Sequence, residues 1–173
     1  MSFDLDFSIL QFLNQNFNQD LGYMLLLIIS SVYAFLIIFA FYFFFKRQKS
    51  KLIHLIVAFV VGELLIFSLK YAVNRPRPLQ TYDELVGLVE KTDPSFPSAH
   101  TFMAFFCLYF VFKNFKKLIY PFAIYLGILI PFGLMYLSIH YFSDVAVGAA
   151  LGLLVPMVIP EKFTNKLAKK ISF

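Results

Sequence analysis

The chain has 173 residues, of which 60% are apolar, 20% aromatic and only 14% charged, and phenylalanine alone accounts for 24. A soluble domain carries about 25% charged residues, so the composition excludes an ordinary soluble fold and points to one bilayer-embedded domain. The formal charge of +5 would suit a nucleic-acid binder, but the positions of the cations give it a different meaning.

The opening residues, MSFDLDF, carry acid where a cleavable signal needs base, so no such signal is expected. Phe3, Phe7, Leu10, Leu13 and Phe17 then form one helical stripe opposite Asp4, Ser8, Gln11 and Gln15. Residues 1–20 are expected to form an amphipathic helix, either lying in the outer membrane interface or packed on the protein's own outer surface.

A helix needs about 20 mostly apolar residues to cross a bilayer. The first such run is 21–45, followed by the basic cluster KRQKSK and a second run over 52–71. A polar stretch occupies 73–95. The third run, 97–112, ends at KNFKK, the fourth covers 118–137, and the fifth covers 141–159. The remainder, 161–173, is a basic amphipathic tail. The expected fold is therefore all-α: a polytopic transmembrane bundle of five spans plus an N-terminal interfacial helix. Its units are 1–20, a transmembrane domain 21–160 and a cytoplasmic tail 161–173. Cys107 is the one cysteine, so neither an internal disulfide nor a cysteine metal cluster is available.

On this topology Lys46, Arg47, Lys49, Lys51, Lys113, Lys116, Lys117, Lys162, Lys166, Lys169 and Lys170 share one side. That is 11 of the 15 basic residues, leaving Lys70, Arg75, Arg77 and Lys91 opposite. The basic side is cytoplasmic by the positive-inside rule. The net charge is a topology signal, and no nucleic-acid partner is expected.

Three polar motifs fall at helix ends on the other side. In KYAVNRPRP, Lys70 ends the second span, and each residue before a proline is driven to extended geometry, making RPRP a stiff strut. These cations are either snorkelling anchors or, given the planar fork of arginine, phosphate ligands. In DPSFPSAHTF, Ser98 reads as an N-cap, with Ala99 and His100 in the first turn. The free N–H groups there either offer an anion site within reach of His100 or make only a helix cap with an incidental interfacial histidine. In SIHYFSDVAVG, His140 and Asp144 are one helical turn apart. A carboxylate on one ring nitrogen fixes the tautomer and leaves the other nitrogen as base or nucleophile. Ionisable groups at membrane depth are costly and read as functional. Alternation of the spans brings all three motifs to one face, as a phosphoryl-transfer site without a metal.

With these residues in place the chain resembles the type-2 phosphatidic acid phosphatase superfamily of membrane lipid phosphatases. Its motifs read Lys-x6-Arg-Pro, Pro-Ser-x-His and Ser-Arg-x5-His-x3-Asp. Lys70 with Arg77-Pro78 matches the first, Pro97 to His100 the second, and His140 with Asp144 the end of the third. The likeness runs from Leu52 to Ile159. Gly133 and Leu134 stand where the family has Ser-Arg; either Arg75 stands in for the missing cation, or this copy is weak, inactive or altered. An arginine restored at 134 is expected to speed turnover if the clamp is merely weakened. The resemblance implies His140 as nucleophile, Asp144 as its orienting carboxylate and His100 as the acid for the leaving oxygen. Lys70, Arg77, Ser98 and the N–H near Ala99 would hold phosphate.

No cofactor is implied. The partners would be membrane lipids and a phosphorylated lipid substrate, at the extracytoplasmic face of the inner (plasma) membrane. Undecaprenyl diphosphate or lipid A 1-phosphate suits that face best, with phosphatidylglycerol phosphate a further candidate. The rival readings are a lipid-binding relative without turnover and a proton-coupled transporter using Glu63, His140 and Asp144. Glu63 itself is expected to be a hydrogen-bonded or ion-paired carboxyl, His54 interfacial, and Pro121 and Pro131 to bend the fourth span. The 79–93 loop is expected to hold a short helix over the site.

Overall fold

The computed structural model describes residues 5–170. Phe3 of the expected N-terminal stripe, Asp4 of the face opposite it, and the tail beyond Lys170 lie outside the described residues. Every regular element within that range is helical.

Helix α1, Leu5–Asn14, packs on the protein itself. Leu10 is fully buried beside Leu85 and Tyr141, and Phe7 stacks on Tyr82 with centroids 4.2 Å apart. Asn14, outside the predicted apolar stripe, is the polar anchor. Its Nδ2 donates to Val86 O at 2.7 Å and to Ser138 Oγ at 3.1 Å, and its Oδ1 accepts from Val86 N at 2.9 Å.

Helices α2, Gln19–Ser30, and α3, Val32–Phe45, form one apolar stretch of 27 residues interrupted at Ser31. The Ser31 hydroxyl donates to Ile28 O at 2.7 Å and meets the Tyr125 hydroxyl at 2.7 Å. Helix α4, Lys49–Val73, ends at Asn74, which takes a left-handed conformation (φ 49°) and returns its N–H to Lys70 O at 2.8 Å. The chain then runs extended through Arg75-Pro-Arg77 into the four-residue α5, Pro78–Thr81. Ser95 straps this strut to the next motif, its N–H bonding Arg75 O at 2.8 Å and its hydroxyl Pro76 O at 3.1 Å.

Helix α6, Ala99–Asn114, leads through a 3₁₀ turn into α7, Ile119–Ile124, and α8, Ile130–Tyr136. Between α7 and α8 lies a wide π-helical turn, Tyr125–Leu129. Pro131 cannot donate an N–H and its ring crowds the preceding turn, and the helix accommodates both by widening, with Ile130 N–H reaching back to Tyr125 O. Helix α9, Phe142–Val158, and α10, Glu161–Lys170, complete the chain and meet at a 60° bend.

The centre of the bundle is the α6–α9 pair. A side chain on Gly152 would begin 2.4 Å from Phe102 O, and one on Gly148 would begin 2.6 Å from Ser98 O. Lipid tails are as apolar as the core, so close packing rather than water exclusion holds such helices together, and small residues four apart allow it. Around this pair Phe102, Met103, Phe106, Leu126, Ile130 and Leu134 are wholly buried.

By length and hydropathy three helical stretches are able to cross a membrane: Gln19–Phe45, Lys49–Thr81 and Lys116–Tyr136; the bent α9–α10 pair makes a fourth if taken together. Helix α6, at 16 residues, falls short of that length. Segments 46–51, 113–117 and α10 gather at one end of the bundle, where Lys113 pairs with Glu161 at 4.0 Å and Ser50 bonds Asn165. His54 is buried there, its Nε2 3.0 Å from Pro156 O near the end of α9. The polar motifs occupy the opposite end.

Candidate active site

Helices α4, α6 and α9 each deliver part of the site from an end. Ser98 caps α6: its hydroxyl accepts from Thr101 N at 3.4 Å and from Thr101 Oγ1 at 3.0 Å. Its own N–H donates to Asp144 O at 3.1 Å, tying the start of α6 to the start of α9. His100 then stands in the first turn of α6, with the Tyr33 ring edge-on to it at 5.5 Å.

His140 sits in the turn before α9, 2% exposed, with its N–H bonded to Leu134 O at 3.3 Å. The preceding Ser138 is left-handed (φ 53°), an unusual state for a residue with a side chain, and Asn14 of α1 holds its hydroxyl. Asp144 is fully buried, and its Oδ2 lies 3.4 Å from His140 Nδ1 while accepting Tyr141 N–H at 3.0 Å. On the other side of the ring, Arg77 Nη1 is 3.3 Å from His140 Nε2. Arginine only donates, so Nε2 is the acceptor and the proton sits on Nδ1, facing Asp144. That tautomer leaves the Nε2 lone pair pointing at the cations. Burial, with the Arg77 and Lys70 charges, pushes the imidazole down to about 4 despite the Asp144 hydrogen bond.

Lys70 and Arg77 share an acid that the sequence did not single out. Lys70 Nζ donates to Asp93 Oδ2 at 3.1 Å and to Pro94 O, while Arg77 donates from Nη2 to Asp93 Oδ1 at 2.8 Å and from Nε to Asp93 O at 2.8 Å. Burial alone would raise the Asp93 carboxyl, but Arg77 and Lys70 outweigh it and hold it below the ordinary carboxylate range. Beside Arg77 a cavity of about 270 Å³ is lined by Gln80, Lys91, Thr92 and Ile139. His100 lies close enough to Lys70, Arg77, Lys91 and His140 for their charges to act on it.

The structure thus brings Lys70, Arg77, Ser98, Ala99, His100, His140 and Asp144 to one end of the bundle. Arg75 is there too, but engaged differently from the expectation for a replacement phosphate clamp. Its Nη1 donates to Asp144 Oδ1 at 2.9 Å and Ser143 Oγ at 2.7 Å, and its Nη2 to Asp6 Oδ2 at 2.9 Å. Leu134 is 0% exposed inside the apolar core with Leu25 and Ile29, so no polar space awaits an arginine there. Glu63 also departs from expectation: its Oε1 is buried without a hydrogen-bond partner among the described residues. Asp93 opens the motif DPSFPSAHTF but was given no role there, and Asp6 and Tyr33 belong to no motif; only the folded chain shows what they touch.

A helical, membrane-type chain that gathers two cations, a helix N-terminus and an acid-supported imidazole at one end of its bundle defines a class: an integral membrane protein with a polar cluster at one end of an apolar helical bundle. The sequence profile of the PAP2 superfamily matches residues 51–167, and the chain belongs to that superfamily. Among curated relatives it is 33% identical to phosphatidylglycerophosphatase B of Bacillus subtilis over 138 residues, covering 73% of this chain and 64% of that protein. It is 30% identical to the bacitracin transport permease protein BcrC of Bacillus licheniformis over 128 residues, covering 73% of this chain and 60% of that protein. The matches therefore span somewhat under two thirds of those relatives' lengths. The fold is that of the crystal structure of Aquifex aeolicus LpxE, with a TM-score of 0.80 at 24% identity, covering 95% of this chain and 97% of that one. A transmembrane PAP2-type phosphatidylglycerolphosphate phosphatase from Bacillus subtilis superposes with a TM-score of 0.73, also at 24% identity, over 97% and 86% of the two chains.

Proposed function

We propose that this chain is a metal-independent membrane phosphatase that hydrolyses a phosphomonoester or diphosphate on a lipid headgroup through a phosphohistidine. The observation that carries the reading is the setting of His140, between Asp144 at 3.4 Å on Nδ1 and Arg77 at 3.3 Å on Nε2. A nucleophile whose lone pair already faces an arginine will face phosphorus once that arginine holds a phosphate oxygen.

In the first step His140 Nε2 attacks phosphorus and the P–O bond to the lipid breaks. His100, whose imidazolium is favoured once a negatively charged phosphate sits among the neighbouring cations, gives its proton to the departing oxygen. Lys70, Arg77, Ser98 and the N–H groups at Ala99 and His100 hold the phosphoryl oxygens. Asp144 keeps the proton on Nδ1 and balances the charge on the phosphorylated ring. Water then attacks phosphorus, its proton passes to His100, and the P–N bond breaks to release inorganic phosphate. Arg75 pairs with Asp144 and is not assigned to the phosphate.

The surrounding architecture is read as five spans: α2–α3, α4, α6, α7–α8 and α9. At 1.5 Å per residue the 16-residue α6 reaches about 24 Å, so it crosses only with the turns at its ends. Helix α1 caps residues 21–160 at the outer face, exposing Leu5 and Phe12 at 61% and 73%, and 161–173 forms the cytoplasmic unit. The concentration of Lys and Arg at the α10 end supports reading the site as extracytoplasmic, at the outer face of the inner membrane. Undecaprenyl diphosphate and lipid A 1-phosphate present their phosphates there, and phosphatidylglycerol phosphate belongs on the same panel.

Phosphate release from these three lipids in the presence of chelator, by the wild-type chain and by His140→Ala, tests the reading. Release by the wild type alone supports it. Release that survives the substitution overturns it, and no release from any lipid favours the lipid-binding or transporter alternatives.

A further inference from the structure

Behind Asp144 lies a second acid from a distant part of the chain. Asp6 of α1 accepts Ser143 N–H on Oδ1 at 2.9 Å, accepts the Ser143 hydroxyl on Oδ2, and pairs with Arg75 Nη2 at 2.9 Å. Arg75 in turn grips Asp144 Oδ1 at 2.9 Å, with the Tyr141 ring 3.6 Å from its guanidinium carbon. The two oxygens of Asp144 are thus divided, Oδ1 toward Arg75 and Oδ2 toward His140.

This division creates an electrostatic problem that Asp6 resolves. A fully buried carboxylate with an arginine at hydrogen-bond distance is a neutral pair, and a neutral pair gives a charged imidazole little support. With Asp6 on the other arm of the guanidinium, the three groups together carry one negative charge. Burial would raise the Asp6 carboxyl, but the Ser143 and Arg75 hydrogen bonds outweigh it and keep the group ionised.

We infer that Asp6 is a positioning residue for the nucleophile: by drawing the charge of Arg75 toward α1, it leaves Asp144 free to orient His140 and to stabilise it as it becomes phosphorylated. The inference rests on the proposed role of His140 and extends it to a helix outside every motif of the superfamily resemblance. It makes the docked α1 part of the active unit. Docking does not hang on Asp6 alone, since Asn14 bonds Val86 and Ser138, Leu10 is buried, and Phe7 stacks on Tyr82. An isosteric change at Asp6 therefore removes charge while keeping the helix in place.

The test compares full-length wild type, Asp6→Asn, Asp6→Glu and Arg75→Gln in detergent micelles, with two readouts. Steady-state kinetics on the lipid phosphate that the wild type hydrolyses should show Asp6→Asn losing about tenfold in kcat at unchanged KM, with Asp6→Glu recovering part of it. Proton NMR at neutral pH reads the His140 Nδ1–H bonded to Asp144, assigned with the three histidines substituted in turn. A stronger acceptor moves that proton downfield, so Asp6→Asn should shift it upfield and Arg75→Gln downfield. Opposite shifts support the inference whether or not a substrate has been found, so a failure of the phosphatase reading is seen separately, as absence of turnover in the wild type. An unchanged resonance in Asp6→Asn overturns it. Loss of the signal by exchange with water also overturns it, because Asp6 would then merely hold α1 closed.

Discussion

The Lys70 ammonium donates to Asp93 Oδ2 at 3.1 Å, and the other oxygen of the same carboxylate accepts from Arg77 at 2.8 Å. Two cations proposed to hold phosphate are thus bridged by an internal acid. A substrate phosphate has to displace that carboxylate, and the half-exposed Asp93 side chain, 45% accessible, is placed to leave. Asp93→Asn should therefore tighten binding of phosphate-bearing ligands by about three- to tenfold, the scale of one or two partly exposed ion pairs. Inhibition by inorganic phosphate measures this directly, as a lower inhibition constant in the variant.

The same pair has a pH signature. Asp93 is held below the ordinary carboxylate range in the fold, so its contribution is complete above the unfolded value of about 3.9 and is lost as pH falls through the lower folded value. At neutral pH the bridge is intact. Thermal unfolding in micelles should show wild type and Asp93→Asn converging as pH drops below about 4.

His140 titrates in the opposite chemical sense but is also depressed, to about 4, because burial and the neighbouring Arg77 and Lys70 disfavour the imidazolium. The proposed nucleophile is therefore unprotonated well below the usual histidine range of about 6.5. The free-enzyme pKa for the nucleophile, taken from the acid limb of kcat/KM, should fall nearer 4 than 6.5. Since the unfolded chain binds this proton first, stability conferred by the buried ring is present above about 6.5 and declines as pH falls toward 4.

Asp144→Asn should lower kcat by at least about 100-fold, because an amide no longer dictates which ring nitrogen carries the proton. His140 would then be free to present its N–H to Arg77, hiding the lone pair. Binding of a phosphate-bearing inhibitor should change little, and comparison of kcat with the inhibition constant separates the two effects.

At the α6–α9 contact, Gly152→Ala would set a methyl 2.4 Å from Phe102 O. Backbone cannot yield as a flexible side chain does, so the helices must separate, at a cost of about 1–3 kcal/mol. Helix separation also pulls Ser98 N from Asp144 O, so activity should fall along with the melting temperature.

Leu134→Arg gives a different result from the one its sequence position invites. Leu134 is fully buried among apolar side chains, and an unpaired charge there costs about 3–5 kcal/mol. Loss of folded protein in a thermal-shift assay is the expected outcome, in place of faster turnover.

The helical stretches 19–45, 49–81 and 116–136 were legible in the sequence because an apolar run of bilayer length has few other uses. The Ser98 cap and the His140–Asp144 spacing were legible because both are local, within one helical turn. Asp93 was not, since it ends an irregular loop and meets Lys70 and Arg77 only through the strap of Ser95 to the Arg75–Pro76 strut. Asp6 was still further from view: it contacts Ser143 across 137 positions, and no periodicity encodes such a contact. Arg75 illustrates the same limit, because its charge suggested a phosphate ligand while its partners, Asp6 and Asp144, emerged only in the fold.

The most direct test is chemical trapping of the intermediate. A lipid substrate labelled in the departing phosphoryl group is mixed with the protein and quenched in alkali, where phosphohistidine survives, and the labelled peptide is identified by mass spectrometry. With His140 as nucleophile, the label is found on the peptide containing His140 and is lost in His140→Ala. Label on any other residue, or steady turnover with no covalent phosphate at all, would contradict that role.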